Sequence, residues 1–150
     1  MLKLLKIFII TLMMTSCGQK DDKLSELIVA TDNGPVVYKV ESAVTKEEMS
    51  QGLMDRKELK TDSGMIFNLN GAKGIAMWMK DTYVALDMLF VNQSGKIVWI
   101  HENAEPLSTN LIKPQITEPL SAVVEINAGD VKKYGIKVGD EVKHEIIQKQ

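Results

Sequence analysis

The sequence predicts a mainly β fold: a compact single domain, a β-sandwich or barrel-like sheet with one short helix and a helical turn. Three observations lead there. Short apolar runs alternate with a period of two along most of the chain. Turn signals rich in Gly, Asn and Asp separate those runs at hairpin spacing. Only one stretch, opening at Thr45, combines helix-start chemistry with more than two turns of length. With 150 residues, 45% hydrophobic and 25% charged, the chain has the makings of one globular core.

The elements follow in order. Residues 1–16 carry Lys3 and Lys6, an apolar core from Ile7 to Met14, then Thr15 and Ser16 before Cys17. The apolar core is too short to span a bilayer. The segment resembles a bacterial lipoprotein signal with Met14-Thr15-Ser16-Cys17 as its lipobox, where Met stands in place of the usual Leu. The expectation is a signal peptide over 1–16, lipid on Cys17, a polar tether to residue 25, and a domain over 26–150. Loss of Lys3 and Lys6 takes the formal net charge from −2 to −4. Cys17 is the only cysteine, so the domain has no disulfide, no thiol nucleophile and no thiolate metal ligand.

Glu26–Ala30 and Val36–Val44 read as strands around a Thr31-Asp32-Asn33-Gly34 turn and pair as a hairpin. Thr45 and Glu48 have capping-box spacing, and Val44 and Met49 have staple spacing, for a helix running to about Met54. On that helix Met49, Leu53 and Arg56 share a face; an arginine facing the core needs a partner, whereas past the helix end it reaches water. Gly64–Leu69 is a strand and Asn70–Gly74 a turn. Ile75–Lys80 reads as a strand with Ile75, Met77 and Met79 on one face and Ala76, Trp78 and Lys80 on the other. It turns at Asp81–Ala85 into Leu86–Val91, with Asp87, Leu89 and Val91 on one face, so that Gly74–Phe90 is expected as the central hairpin. Asn92–Gly95 is a hairpin loop before Lys96–His101. Glu102–Pro119 holds three of the four prolines and reads as a long surface loop. Ser121–Asn127 is a strand with Val124 and Ile126 opposite Val123, Glu125 and Asn127. Asp130 starts a helical turn ending at Tyr134-Gly135, and Glu141–Ile147 is the last strand.

Several of these stretches together resemble the DUF192 family, also called UPF0127, over roughly Val36 to Ile147. The resemblance lies in Gly52-Leu53-Met54-Asp55-Arg56, Gly64-Met65-Ile66-Phe67, Trp78-Met79-Lys80-Asp81-Thr82, Leu86-Asp87-Met88-Leu89-Phe90, Val124-Glu125-Ile126-Asn127-Ala128-Gly129 and Gly135-Ile136-Lys137-Val138-Gly139-Asp140. Asp81 stands where the family usually has Asn, and Ala85 where it usually has Pro. The resemblance implies a compact, mainly β fold and supplies no established activity.

The candidate ligand-binding residues are Arg56, Trp78, Lys80, Thr82, Asp87 and Glu125. Two carboxylates with a lysine and an arginine, if they converge, can bind a polar ligand or transfer protons. The competing reading is a structural network in which Arg56 pairs with Asp87 or Glu125 and pins the helix to the sheet. The Met77-x-Met79 pair has the thioethers that suit Cu(I), but methionines in apolar runs, Met49, Met54, Met65 and Met88 among them, are better explained as core filler. His101 and His144 lack metal-ligand spacing, and no serine-hydrolase, zinc-protease or phosphate-loop motif is present. No metal or cofactor is therefore expected. A net charge of −2 leaves no basic footprint for nucleic acid. The expectation is a membrane-tethered accessory or ligand-binding domain of the bacterial cell envelope, held outside the cytoplasm by lipid on Cys17, with an envelope ligand or protein as partner. The alternative is an envelope enzyme using Asp87 or Glu125 as acid or base, with Arg56 or Lys80 holding an anionic substrate.

Overall fold

The computed structural model describes residues 24–147. The expected signal segment, Cys17 and most of the expected tether lie outside the described residues. Seven strands and two short helices follow in the order β1 (Ser25–Thr31), β2 (Gly34–Ala43), α1 (Lys46–Gln51), β3 (Ser63–Ala72), β4 (Leu86–Asn92), β5 (Ile97–Ala104), β6 (Leu120–Asn127), α2 (Asp130–Tyr134) and β7 (Glu141–Lys143). The strands form one curled sheet in the order β5-β4-β6-β3-β2-β1-β7. β2 and β3 are parallel and are joined by the crossover that carries α1; the other neighbours are antiparallel. The two edges meet at one end. There Gly139 N donates to Ile97 O at 2.8 Å, and Val142 N donates to Gly95 O at 2.8 Å. The fold is thus mainly β and barrel-like, as the alternation of apolar residues predicts.

Both faces of the sheet are covered. The inner face gathers Leu27, Tyr38, Val40, Ile66, Leu89, Val124, Ile126 and Val142, with Val131 and Ile136 closing one end. The outer face carries Met65, Phe67, Met88, Phe90 and Val123, and is covered by Leu53 and Met79 from outside the sheet. Burial on both faces explains why the central strands read as near-continuous apolar runs.

Five elements differ from expectation. β3 runs on through Asn70 to Ala72, and β5 through Glu102 to Ala104, so the long loop opens only after Ala104. Ile75–Lys80 is not a strand of the sheet. β3 already lies between β2 and β6, and β4 between β5 and β6, so neither offers a free edge. The segment instead lies over the outer face and pairs with the long loop through a Met77–Ile112 bridge. Gly74–Phe90 is therefore a covering segment plus a central strand, not a hairpin. The helix stops at Gln51 because Gly52 adopts φ 47°, ψ −131°, a region open to glycine. The last strand stops at Lys143, where Ile147 N turns back to His144 O at 3.0 Å.

Candidate functional site

The covering segment creates a groove. One wall is α1, whose start is fixed by a full capping box: Glu48 N donates to Thr45 Oγ1 at 3.1 Å, and Thr45 N donates to the Glu48 carboxylate at 2.9 Å. The opposite wall is Ala76–Lys80. Backbone bonds from Met79 N to Ser108 O and from Leu107 N to Thr82 O, each 3.0 Å, tie that wall to the long loop. Asp55 N donates to Asp81 O at 2.8 Å and joins the two walls at one end. Asp81 has φ 52°, a conformation that Asp tolerates as Asn does, so the departure at this position keeps the backbone turn.

Met79 anchors the wall by entering the outer core, with 1% exposure. Alternation then turns Trp78 outward, where it is 46% exposed, and the Lys80 ammonium lies 5.5 Å from its ring centre. Lys80 also stands 4.0 Å from Asp81, an exposed contact worth little in water. Lys46, Met49 and Met54 complete the groove, whose volume is about 680 Å3. Its floor deepens into a chamber of about 100 Å3 lined by Leu53, Phe67, Met77, Thr82 and Glu125 among others.

Glu125 is the unusual group. It projects from β6 on the outer face between its cross-strand neighbours Met65 on β3 and Met88 on β4. Its residue exposure is 4%, and it makes no hydrogen bond or ion pair among the described residues. Removal from water disfavours the carboxylate, and burial pushes the Glu125 carboxyl up to about 8. No charged side chain lines the chamber beside it. Near neutral pH it is a carboxylic acid with a proton to donate. Thr82, on the chamber wall, donates its hydroxyl to Lys80 O at 3.1 Å and keeps its lone pairs available as acceptors.

The six sequence candidates are thus divided. Trp78, Lys80, Thr82 and Glu125 come together at the groove. Asp87 does not: it sits opposite Ile126 in the register, on the inner face, whereas Glu125 sits opposite Met88 on the outer face. The sheet separates the two carboxyls. Fully buried Asp87 accepts from Asn103 N at 2.8 Å, Gly129 N at 2.9 Å and Val131 N at 3.0 Å, so it fastens the end of β5 to the start of α2. Arg56 lies past the helix and pairs through both guanidinium nitrogens with Glu41 on β2, its second contact being 2.7 Å. This ion pair holds the Glu41 carboxyl below its usual range. The structural network expected for Arg56 therefore exists with Glu41 in place of Asp87 or Glu125.

Sequence reading missed Glu41, Ser50 and the groove role of Met49, which is exposed and not core. Alternation along β2 puts Glu41 on the face opposite buried Tyr38 and Val40. Gly64 was legible as a motif residue, and its cause is now plain. A Cβ there would come within 2.4 Å of Glu125 O, so glycine lets β3 approach β6 under the chamber.

A second polar cluster lies at the other end of the sheet. Tyr134 donates to Asp62 at 2.6 Å and meets Lys133 Nζ at 2.6 Å. Beneath them buried Tyr38 faces Asp130; Tyr38 Oη and Asp130 Oδ2 interact electrostatically without meeting hydrogen-bond geometry. Burial raises both groups above their ordinary values. Among the described residues no group of three or more metal-ligating side chains is present.

Comparison with known proteins places this geometry in a family. The DUF192 model, described as an uncharacterized ACR, matches residues 28–144. The chain belongs to the DUF192 family. A crystal structure of a protein of unknown function from Novosphingobium aromaticivorans is similar at 35% identity, with a TM-score of 0.77 over 81% of this chain and 85% of that one. A protein of Sinorhizobium meliloti, proposed as a transcription regulator, is similar at 39% identity, with a TM-score of 0.74 over 80% of this chain and 94% of that one. No curated protein matches. The DUF192 motifs acquire physical roles from the structure. Gly52 and Gly64 permit close approach, Asp87 and Arg56 fasten elements, and the Trp78–Thr82 and Glu125 stretches form the groove.

Proposed function

We propose that this DUF192 protein is a ligand-binding domain of the bacterial cell envelope, tethered to a membrane through lipid on Cys17. The ligand lies in the groove between α1 and Ala76–Lys80. The observation that carries the reading is Glu125, a buried acid without a partner among the described residues and aimed into an open chamber. Leaving such a group unpaired costs on the order of 1–3 kcal/mol. A ligand acceptor that takes its proton recovers that cost. The exposed Trp78 face beside it supplies apolar contact area.

The tether rests on the sequence of residues 1–17 and on the tether's length. Cys17→Ser is expected to move the protein from the membrane fraction to the soluble fraction; retention on the membrane excludes the lipid anchor. A nucleic-acid role, which the Sinorhizobium neighbour raises, gains no support from a net charge of −2.

A broad small-molecule fragment set tests the site, with the tryptophan indole resonances of the protein as readout. Binders are expected to move Trp78 and to leave Trp99 unmoved, since Trp99 packs on Phe90 away from the groove. Glu125→Ala weakens them without loss of stability. An unmoved Trp78 across the whole set removes the reading.

A second reading keeps catalysis. An acid titrating near 8 is suited to proton transfer. With Asp87 across the sheet and Arg56 paired to Glu41, that chemistry falls to Glu125 alone, with Lys80 to hold an anionic substrate. Turnover abolished by Glu125→Gln with binding retained favours this reading.

A further inference from the structure

The charge of the groove is uneven, and the unevenness selects a ligand. Two lysines, Lys46 and Lys80, line its mouth, and no carboxylate does. On α1 the Glu48 carboxylate is turned back onto the Val44 and Thr45 amides at 2.9 Å each and is spent on the cap. Asp81 touches Lys80 only at 4.0 Å and in water, which leaves the ammonium available. The chamber below is the reverse: Leu53, Phe67 and Met77 line it, and its polar groups are the Glu125 carboxyl, the Thr82 hydroxyl already engaged as a donor, the Gln51 amide turned to Met54 O and Asp55 at 3.4 Å each, and exposed Ser50, which it shares with the groove above.

An anion does not belong on that floor. Charge taken into an apolar chamber needs more than one neutral donor to offset its lost hydration. A cation is turned away at the mouth by the two lysines. The chamber's 100 Å3 holds a group of a few heavy atoms, and the longer groove above it holds the remainder. We propose, resting on the ligand-site reading above, that the groove takes a small amphipathic organic anion. Its charged end lies at Lys46 and Lys80, its apolar body lies along Trp78 and Met49, and its uncharged end presents one hydrogen-bond acceptor to the Glu125 carboxyl. Thr82 accepts a donor when the ligand's end carries one. The class is that of carbonyl- or hydroxyl-bearing organic acids.

Three probes of matched size separate the terms: 4-acetylbenzoate, 4-ethylbenzoate and 4-acetylbenzylamine, each titrated into the protein with the Trp78 and Trp99 indoles observed. The acetyl compound is expected to bind about fivefold tighter than the ethyl compound, the worth of one net hydrogen bond. The amine is expected to give no shift at the concentrations where the benzoates saturate. Glu125→Ala makes the two benzoates equal, Glu125→Gln keeps their difference because the amide still donates, and Lys46→Ala with Lys80→Ala removes the preference for the anion. Equal binding of the two benzoates to the unaltered protein, or an amine that binds as well as they do, overturns the proposal. If none of the three moves Trp78 while other fragments do, this inference fails and the ligand site stands; if no fragment moves it, both fail.

Discussion

Four side chains carry distinct duties, and each is separable by substitution. Glu125 is the one whose native state opposes its ordinary ionisation. Its folded value, raised to about 8 from 4.5, lies above its unfolded value, so the native protein holds a proton that the unfolded chain has released between those limits. Stability is therefore greatest below the ordinary carboxylate range and falls as pH rises toward 8. Thermal melts across that window are expected to show this fall in the wild type and to show it flattened in Glu125→Gln, which becomes the more stable protein at alkaline pH. His144 has the opposite sign. Burial lowers its pKa, and Ile146 N donates to its Nδ1 at 3.2 Å, which requires that nitrogen unprotonated. Its contribution is present above the ordinary histidine range and is lost as pH falls through the lowered native value. The fully buried Asp87 is structural, with three backbone donors to satisfy. Asp87→Asn replaces one acceptor oxygen by an NH2 facing amides, and a loss of about 3 kcal/mol is expected in denaturant unfolding. A variant as stable as the wild type would contradict that role. The Arg56–Glu41 pair is half-exposed, so Arg56→Met is expected to cost only about 1 kcal/mol.

At the scale of elements, the groove depends on a helix too short to stand alone. α1 has six residues and buries none of them. An isolated helix of that length does not form in water. Its capping box and the buried Leu53 just beyond its end hold it in place. Thr45→Ala is expected to cost about 1 kcal/mol and to raise amide exchange at Met49 and Gly52 more than in the sheet. Uniform exchange changes would show instead that the wall and the sheet open together. β3 and β6 make the complementary case. Gly64→Ala puts a methyl against Glu125 O, and main chain does not yield as a flexible side chain would. A loss of about 2 kcal/mol or more is expected, together with a shifted Trp78 resonance because the floor moves.

For the molecule as a whole, the strand alternation decided what was legible. Val123, Glu125 and Asn127 on one face, and Asp87, Leu89 and Val91 on one face, follow from a period of two and hold in the sheet. That Asp87 and Glu125 face opposite sides required the register between β4 and β6, which no local pattern encodes. The capping box was readable because both partners lie within four residues; the partner of Arg56 was not, because Glu41 reaches it across a crossover. Ile75–Lys80 carries strand alternation because Met79 is buried and Trp78 exposed, yet whether such a segment joins a sheet depends on a free edge elsewhere. Methionines divided likewise by tertiary position, with Met65, Met79 and Met88 buried and Met49 at the groove. The curled sheet holds, at the floor of a groove, a neutral acid with no partner among the described residues. Carbon-13 observation of the Glu125 side-chain carboxyl through a pH titration tests it most directly. A single midpoint at about 8 is predicted, and a midpoint in the ordinary carboxylate range would show that Glu125 is solvated or paired and would contradict the account.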